Sequence, residues 1–175
     1  MSPRHLQALG DTLTPAQLAD FTRFYADEVA AGQYPYIAFT EDERWHQRIY
    51  RDQRVDIWLI SWLPTQGTQL HDHGGSSGAF TVLSGALTES VPSGYGDGRL
   101  TIRDSERATG DTVRFGEHYI HDVRNAGSDA AVSVHAYSPP LSSMTFYDLD
   151  GGDLVKITSI ATDDPEIEPA GIRVA

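Results

Sequence analysis

The feature that most constrains this chain is a change of hydrophobic period near Arg51. Before it, Leu18, Phe21, Phe24, Tyr25 and Val29 recur with helical spacing. Thr14-Pro15-Ala16-Gln17 reads as a capping box, in which Thr14 caps, Pro15 suits the first helical position and Gln17 reaches back. Gly32 suits the stop. Thr40, followed by Glu43, predicts a second, short helix through Trp45 and Gln47. After Arg51 the apolar residues alternate, or fall in short runs bounded by glycine and proline. The predicted strands are Val55 to Trp62, Gly78 to Glu89 with a break at Ser84-Gly85, Leu100 to Ile102, Thr112 to Phe115, Tyr119 to Val123, Ala131 to Tyr137, Met144 to Leu149 and Leu154 to Ile160. Ser93, Gly94, Gly96 and Gly98 predict a loop.

Many short strands with frequent turns predict a mainly β fold, a closed barrel or sandwich, behind N-terminal helices. The 175 residues suit a single domain: a helical part over about 1–50, a barrel over about 51–162 and a polar tail rich in Asp, Glu and Pro.

Charge and cysteine content narrow the function classes. The net charge is −12, which argues against nucleic acid and against an anionic membrane surface, since both need clustered Lys and Arg. With no cysteine, the chain has no disulfide, zinc–thiolate site, iron–sulfur cluster or catalytic thiol of its own. Met1 to Leu9 lacks the apolar run of a signal peptide, and no stretch reaches the ~20 apolar residues of a membrane span. The expectation is a cytoplasmic protein, monomeric, acting on a small molecule.

Chemistry concentrates in the histidines. His71 and His73 flank Asp72, and residues two apart in a strand project to one face, as two adjacent metal ligands must. His121 follows Gly110 and Gly116 and precedes Asn125. The paired segments Gly67…His71-x-His73…Gly85 and Gly110…Gly116…His121-x-x-x-Asn125 resemble the two signature stretches of the cupin superfamily. That resemblance implies a small jelly-roll-like barrel with the segments meeting at its mouth. Cupins usually add a glutamate ligand after the second histidine. Here the stretch is Gly74 to Gly78 without an acid, and Asp72 faces away in a regular strand. A neutral site of three histidines results. Imidazole suits Fe, Zn, Cu and Ni alike, so the ligands alone do not choose the metal.

A narrower resemblance chooses it. His71-Asp72-His73, the run Phe80 to Glu89, and Ser133-x-His135-x-Tyr137-Ser138-Pro139-Pro140 resemble the cysteine dioxygenase (thiol dioxygenase) family over roughly Arg54 to Asp148. The resemblance implies Fe(II) on His71, His73 and His121, and oxidation of a small thiol to its sulfinic acid with both atoms of O2. L-cysteine is the first substrate expectation, and 3-mercaptopropionate or another small thiol the alternative. A non-catalytic cupin that senses a metal or ligand is the reading from another class. Ser133, His135 and Tyr137 alternate and so share a face; the resemblance implies a hydrogen-bonded relay ending at the Tyr137 phenol. Some family members crosslink that tyrosine to a cysteine, but Gly78 stands at the cysteine position here. The family holds the substrate carboxylate with an arginine or glutamine before the first long strand. Counting back from His71 lands near His46, which makes Arg48, His46 and Arg44 the candidates, with Gln47 beside them. His118, three residues before His121, and His5 read as surface or tail residues, and Trp58 and Trp62 as core.

Overall fold

A computed structural model describes residues 12–34, 36–94 and 98–167. His5, Gly96 and the end of the tail lie outside the described residues. One helix, α1 (Pro15–Ala30), opens the described chain with the expected capping box: the Gln17 amide donates to Thr14 Oγ1 while the Thr14 amide donates to Gln17 Oε1. Eleven strands follow: β1 (His46–Arg51), β2 (Asp56–Trp62), β3 (His71–Asp72), β4 (Ser77–Ser84), β5 (Ala86–Gly94), β6 (Leu100–Ala108), β7 (Thr112–Phe115), β8 (Asp122–Arg124), β9 (Ala131–Ser138), β10 (Ser143–Asp150) and β11 (Asp153–Ala161). The break expected at Ser84-Gly85 separates β4 from β5, where Gly85 has φ +75° and a side chain would strike the Ala130 carbonyl. The described fold is mainly β.

Two expectations about the ends of the barrel need correction. No second helix follows Thr40. The Thr40 hydroxyl instead donates to the Glu43 carbonyl, and residues from His46 on form β1, paired to β2 with His46 opposite Ile60 and Arg48 opposite Trp58. Cross-strand pairing has outweighed the local capping signal. The acidic stretch after β11 also does not behave as a free tail up to Ile167: Asp163, Asp164 and Glu166 all pair with cations near β1.

A five-stranded sheet, ordered β1-β2-β9-β4-β7, forms one wall. Two three-stranded sheets, β11-β10-β3 and β6-β5-β8, form the other and are linked by bridges at Gly67–Arg124 and His71–His121. Period-two alternation sorts the side chains of the first wall. Ile57, Leu59, Val134 and Ala136 face α1 and pack with Leu18, Ala19 and Val29. Trp58, Ile60, Trp62, Phe80, Val82 and Tyr137 face inward and meet Leu87 and Val123 from the opposite wall. Each large apolar side chain so enclosed contributes about 1.5–3 kcal/mol. Among the described residues no helix is long and apolar enough to cross a membrane.

Candidate metal centre

The joint between the two three-stranded sheets places the histidines. The His71 amide donates to the His121 carbonyl at 2.9 Å and the His121 amide to the His71 carbonyl at 3.1 Å, which fixes the two residues side by side. His73 lies just beyond β3, and the chain then turns away through Gly74 at φ +59°. A side chain at Gly74 would run into Ser143. One ring nitrogen from each of His71, His73 and His121 lies within 4.8 Å of the others, and all three residues are buried. Ligands about 2.0–2.1 Å from a shared ion sit about 3.0–3.4 Å apart at octahedral or tetrahedral angles, so the rings would close inward to hold one.

The surroundings set each ring's tautomer. His71 Nδ1 donates to the Gln69 carbonyl at 2.6 Å, leaving Nε2 for the site. His121 Nδ1 donates to Glu89 Oε1 at 3.0 Å, which again frees Nε2. Both nitrogens of His73 are buried and have no hydrogen-bond partner among the described residues. An imidazole desolvated without a partner is costly, and a shared cation relieves that cost. Burial pushes His71 down to about 3 and His73 well below the usual histidine range, so both stay neutral, as ligands must. The donor set therefore fits a metal ion. Asp72 takes no part: it accepts from the Gly74 amide at 2.9 Å and from the Tyr147 hydroxyl at 2.7 Å, on the side away from the site.

Glu89 escaped the sequence reading as a supporting residue. It is fully buried on β5 opposite Val123, two residues from His121 on the same face. Besides accepting from His121 it accepts from Tyr119 at 3.0 Å and from Arg107 at 2.9 and 2.6 Å. Burial alone would raise its carboxyl, but His121 and Arg107 together hold it below the usual range. The available signal was parity, since Glu89 alternates with the inward Leu87.

The alternating triad of β9 does face inward, next to the histidines. The Trp62 indole donates to Ser133 Oγ at 2.8 Å, and Ser133 Oγ meets His135 Nε2 at 2.8 Å. An indole N–H only donates, so every group is satisfied when Ser133 donates to Nε2 and His135 carries its proton on Nδ1. Nδ1 is 3.5 Å from the Tyr137 hydroxyl, the longest link of the chain. Burial pushes His135 down to about 3 and Tyr137 well above the usual phenol range, aided there by the charges of Glu166 and Asp56. The Tyr137 ring stacks on His73 with centroids 5.0 Å apart. Gly78 lies opposite Tyr137, and a side chain there would meet the Phe115 ring at 2.3 Å. Phe115 fills the space that any side chain at Gly78 would use.

A small cavity joins these groups, lined by Trp62, Thr68, Val123, His71, His121, His135, Tyr137, Pro165 and Glu166. Trp62 is thus a pocket residue as well as a core one. The three candidate carboxylate anchors divide. Arg48 lies over the Trp58 ring at 4.4 Å and pairs with Asp163. His46 meets Asp164 at 3.2 Å. Neither lines the cavity. Arg44 is buried, lies over Trp62 at 5.4 Å, donates to the Gly67 carbonyl and is ion-paired with Glu166, so it abuts the cavity through two of its lining residues. His118 is exposed beside Glu117, and Asn125 fixes its turn by donating to the Trp62 and Asp129 carbonyls.

The chain resembles solved structures at low identity. A protein from Thermus thermophilus superposes with TM-score 0.52 at 19% identity, covering 61% of this chain and 93% of that one. A cupin superfamily protein from Desulfitobacterium hafniense gives TM-score 0.48 at 15% identity, over 58% of this chain and 83% of its own. The sequence itself matches the cysteine dioxygenase type I family over residues 25–150, which hold the three histidines and the Ser133, His135 and Tyr137 triad. By that match the chain belongs to the cysteine dioxygenase type I family of the cupin superfamily.

Proposed function

We propose that this protein is a non-haem Fe(II)-dependent thiol dioxygenase, acting on a small carboxylate-bearing thiol, L-cysteine first and 3-mercaptopropionate second. The observation that carries the reading is the unpartnered His73 ring, clustered with His71 and His121 and stacked on Tyr137, in a member of this family. The reaction adds both atoms of O2 to the sulfur of RSH and gives RSO2H, so no further reductant is needed. Fe(II) on the three imidazoles supplies the redox chemistry and the Lewis acidity that favours thiolate over thiol.

The chain's own residues do the rest. Trp62 and Ser133 fix His135, and His135 holds the Tyr137 hydroxyl beside the cavity. Because burial keeps Tyr137 protonated, it acts as a hydrogen-bond donor toward the reacting atoms. Arg44 offers the fixed guanidinium that a substrate carboxylate needs. The buried lining keeps bulk water out, which strengthens each of these interactions. A sensor would have no use for such a relay, which sets that alternative aside. The working form in this reading is a single domain, monomeric and cytoplasmic.

The test is metal analysis with oxygen uptake on a panel of cysteine, 3-mercaptopropionate, cysteamine and mercaptosuccinate. Thiol-dependent uptake by the iron-loaded protein is the expected result, and no uptake with any thiol sinks the reading. His121→Ala is expected to bring iron content to background; retained iron would overturn the ligand assignment.

A further inference from the structure

Three basic residues in alternation at the barrel mouth meet three acidic residues of the segment after β11. Arg44 pairs with Glu166, His46 with Asp164, and Arg48 with Asp163, which also takes Arg51 at 2.7 Å. The segment is further braced from within, since the Asp164 amide donates to Thr162 Oγ1 at 2.9 Å and the Glu166 amide to Asp164 Oδ1 at 2.9 Å. The three pairs differ in environment. Asp163 and Asp164 sit near the surface, whereas the side chains of Arg44 and Glu166 are each only 4% exposed. Glu166 and Pro165 also line the cavity that holds the histidines and Tyr137. With them in place the cavity measures about 10 Å³, on the order of a single water molecule and too small for any thiol acid.

A buried carboxylate, delivered by the chain to Arg44, which abuts the site, occupies the chemistry that a substrate carboxylate would use. We propose that Glu166 is a specificity-determining residue: it competes with the substrate carboxylate for Arg44, and the strap Asp163–Glu166 leaves the mouth when a thiol acid takes its place. This inference rests on the dioxygenase reading for the identity of the incoming ligand. The exchange is nearly balanced, because one charge-assisted Arg44–carboxylate contact replaces another. A thiol without a carboxylate gains no such contact and cannot repay the opening. The strap therefore selects for acids as well as closing the cavity. A strap that is shut about nine-tenths of the time would weaken apparent carboxylate binding about tenfold.

The experiment uses the iron-loaded protein under nitrogen, so that nothing turns over. Hydrogen exchange of residues 163–167 is followed with 3-mercaptopropionate, with propionate and with cysteamine, while calorimetry reports binding. The two carboxylates are expected to raise exchange in the strap and cysteamine to leave it unchanged. Glu166→Ala is expected to tighten propionate and 3-mercaptopropionate about tenfold and cysteamine little. Glu166→Gln, which keeps an acceptor for Arg44, guards against a variant that folds poorly and is expected to shift in the same direction. Saturating carboxylate without strap exchange overturns the proposal. So does weaker carboxylate binding in both variants, which would make Glu166 a support for Arg44, and so does carboxylate binding to none of the proteins. The two readings fail separately. Strap release without oxygen uptake by any thiol defeats only the dioxygenase, and thiol-dependent uptake with an immobile strap defeats only the competition.

Discussion

The floor and the mouth of this pocket are built from opposite materials. At the floor, imidazoles, a phenol, a serine and an indole are buried, and all but His73 are tied by directional hydrogen bonds; the charged support Glu89 is itself saturated by His121, Tyr119 and Arg107. At the mouth, cations face acids from a terminal segment across Arg44, His46 and Arg48, in graded exposure to solvent. The floor sits on β2, β3 and β9 and on the His71–His121 bridge, inside two walls of sheet. The mouth depends on the short segment after β11. In the proposed reading the difference divides the work: buried, hydrogen-bonded groups would hold the metal and the reacting atoms, and exchangeable ion pairs would admit the substrate.

The sharpest way to break that division is at the floor. Tyr137→Phe removes only the hydroxyl and keeps the ring that stacks on His73. Iron content is expected to stay at the wild-type level while turnover falls about a hundredfold or more, the lower end of what a positioned proton-transferring group contributes. Metal analysis beside steady-state oxygen uptake decides it. Unchanged turnover would make the Ser133, His135 and Tyr137 stripe a structural feature of the barrel wall. The next largest effect is expected at Glu89→Gln. The amide still accepts from His121 but loses the charge that makes that imidazole a better donor to metal. Metal affinity is expected to fall about 10- to 100-fold, read by competition with a chelator. An affinity within twofold of wild type would mean that Glu89 serves Arg107 and the fold alone.

Much of the floor was legible in the sequence because its information is local. Period two puts Ser133, His135 and Tyr137 on one face whatever the rest of the chain does, and His71-x-His73 carries its own geometry. The mouth was not legible for the opposite reason. Thr40 and Glu43 carry a helix-start signal, but residues from His46 on are claimed by pairing to β2, a contact no local rule contains. That strand conformation is what sets His46 and Arg48 two apart along β1, with Arg44 just before it. The value of Asp163, Asp164 and Glu166 depends in turn on partners 115 residues away for Arg48 and Asp163, and 122 for Arg44 and Glu166. An acidic stretch near the end of a chain looks solvated until its counter-charges are placed. Glu89 stands between the two cases. Its inward parity on β5 was visible, but its partner His121 came only with the β5–β8 register.

The smallest expected effect lies at the mouth and concerns His46. Its ring meets Asp164 at 3.2 Å, donates from Nδ1 to the Arg44 carbonyl at 3.2 Å, and stands near Trp58, with Glu166 the next charge. The Asp164 hydrogen bond raises its pKa above the usual histidine value; burial opposes this, and the Arg44 carbonyl adds to the rise. A histidine raised in the folded state contributes stability that is complete below the unfolded value of about 6.5 and is lost as pH climbs through the folded one. Asp164 is held low by the same hydrogen bond and stays charged throughout that window. Strap exchange, corrected for the intrinsic pH dependence of amides, is therefore expected to rise modestly as pH climbs above the unfolded histidine value of about 6.5. The gain is small because the side chain of His46 is 24% exposed and that of Asp164 is 45% exposed, so solvent screens the pair. His46→Gln is expected to flatten the curve. Glu166→Gln is expected to keep it, which separates His46 from Glu166, whose carboxyl burial also raises against the pull of Arg44. A wild-type strap with no pH dependence would take His46 out of the release step and leave it to the arginine pairs, Arg44–Glu166 at the buried end and Arg48–Asp163 at the surface.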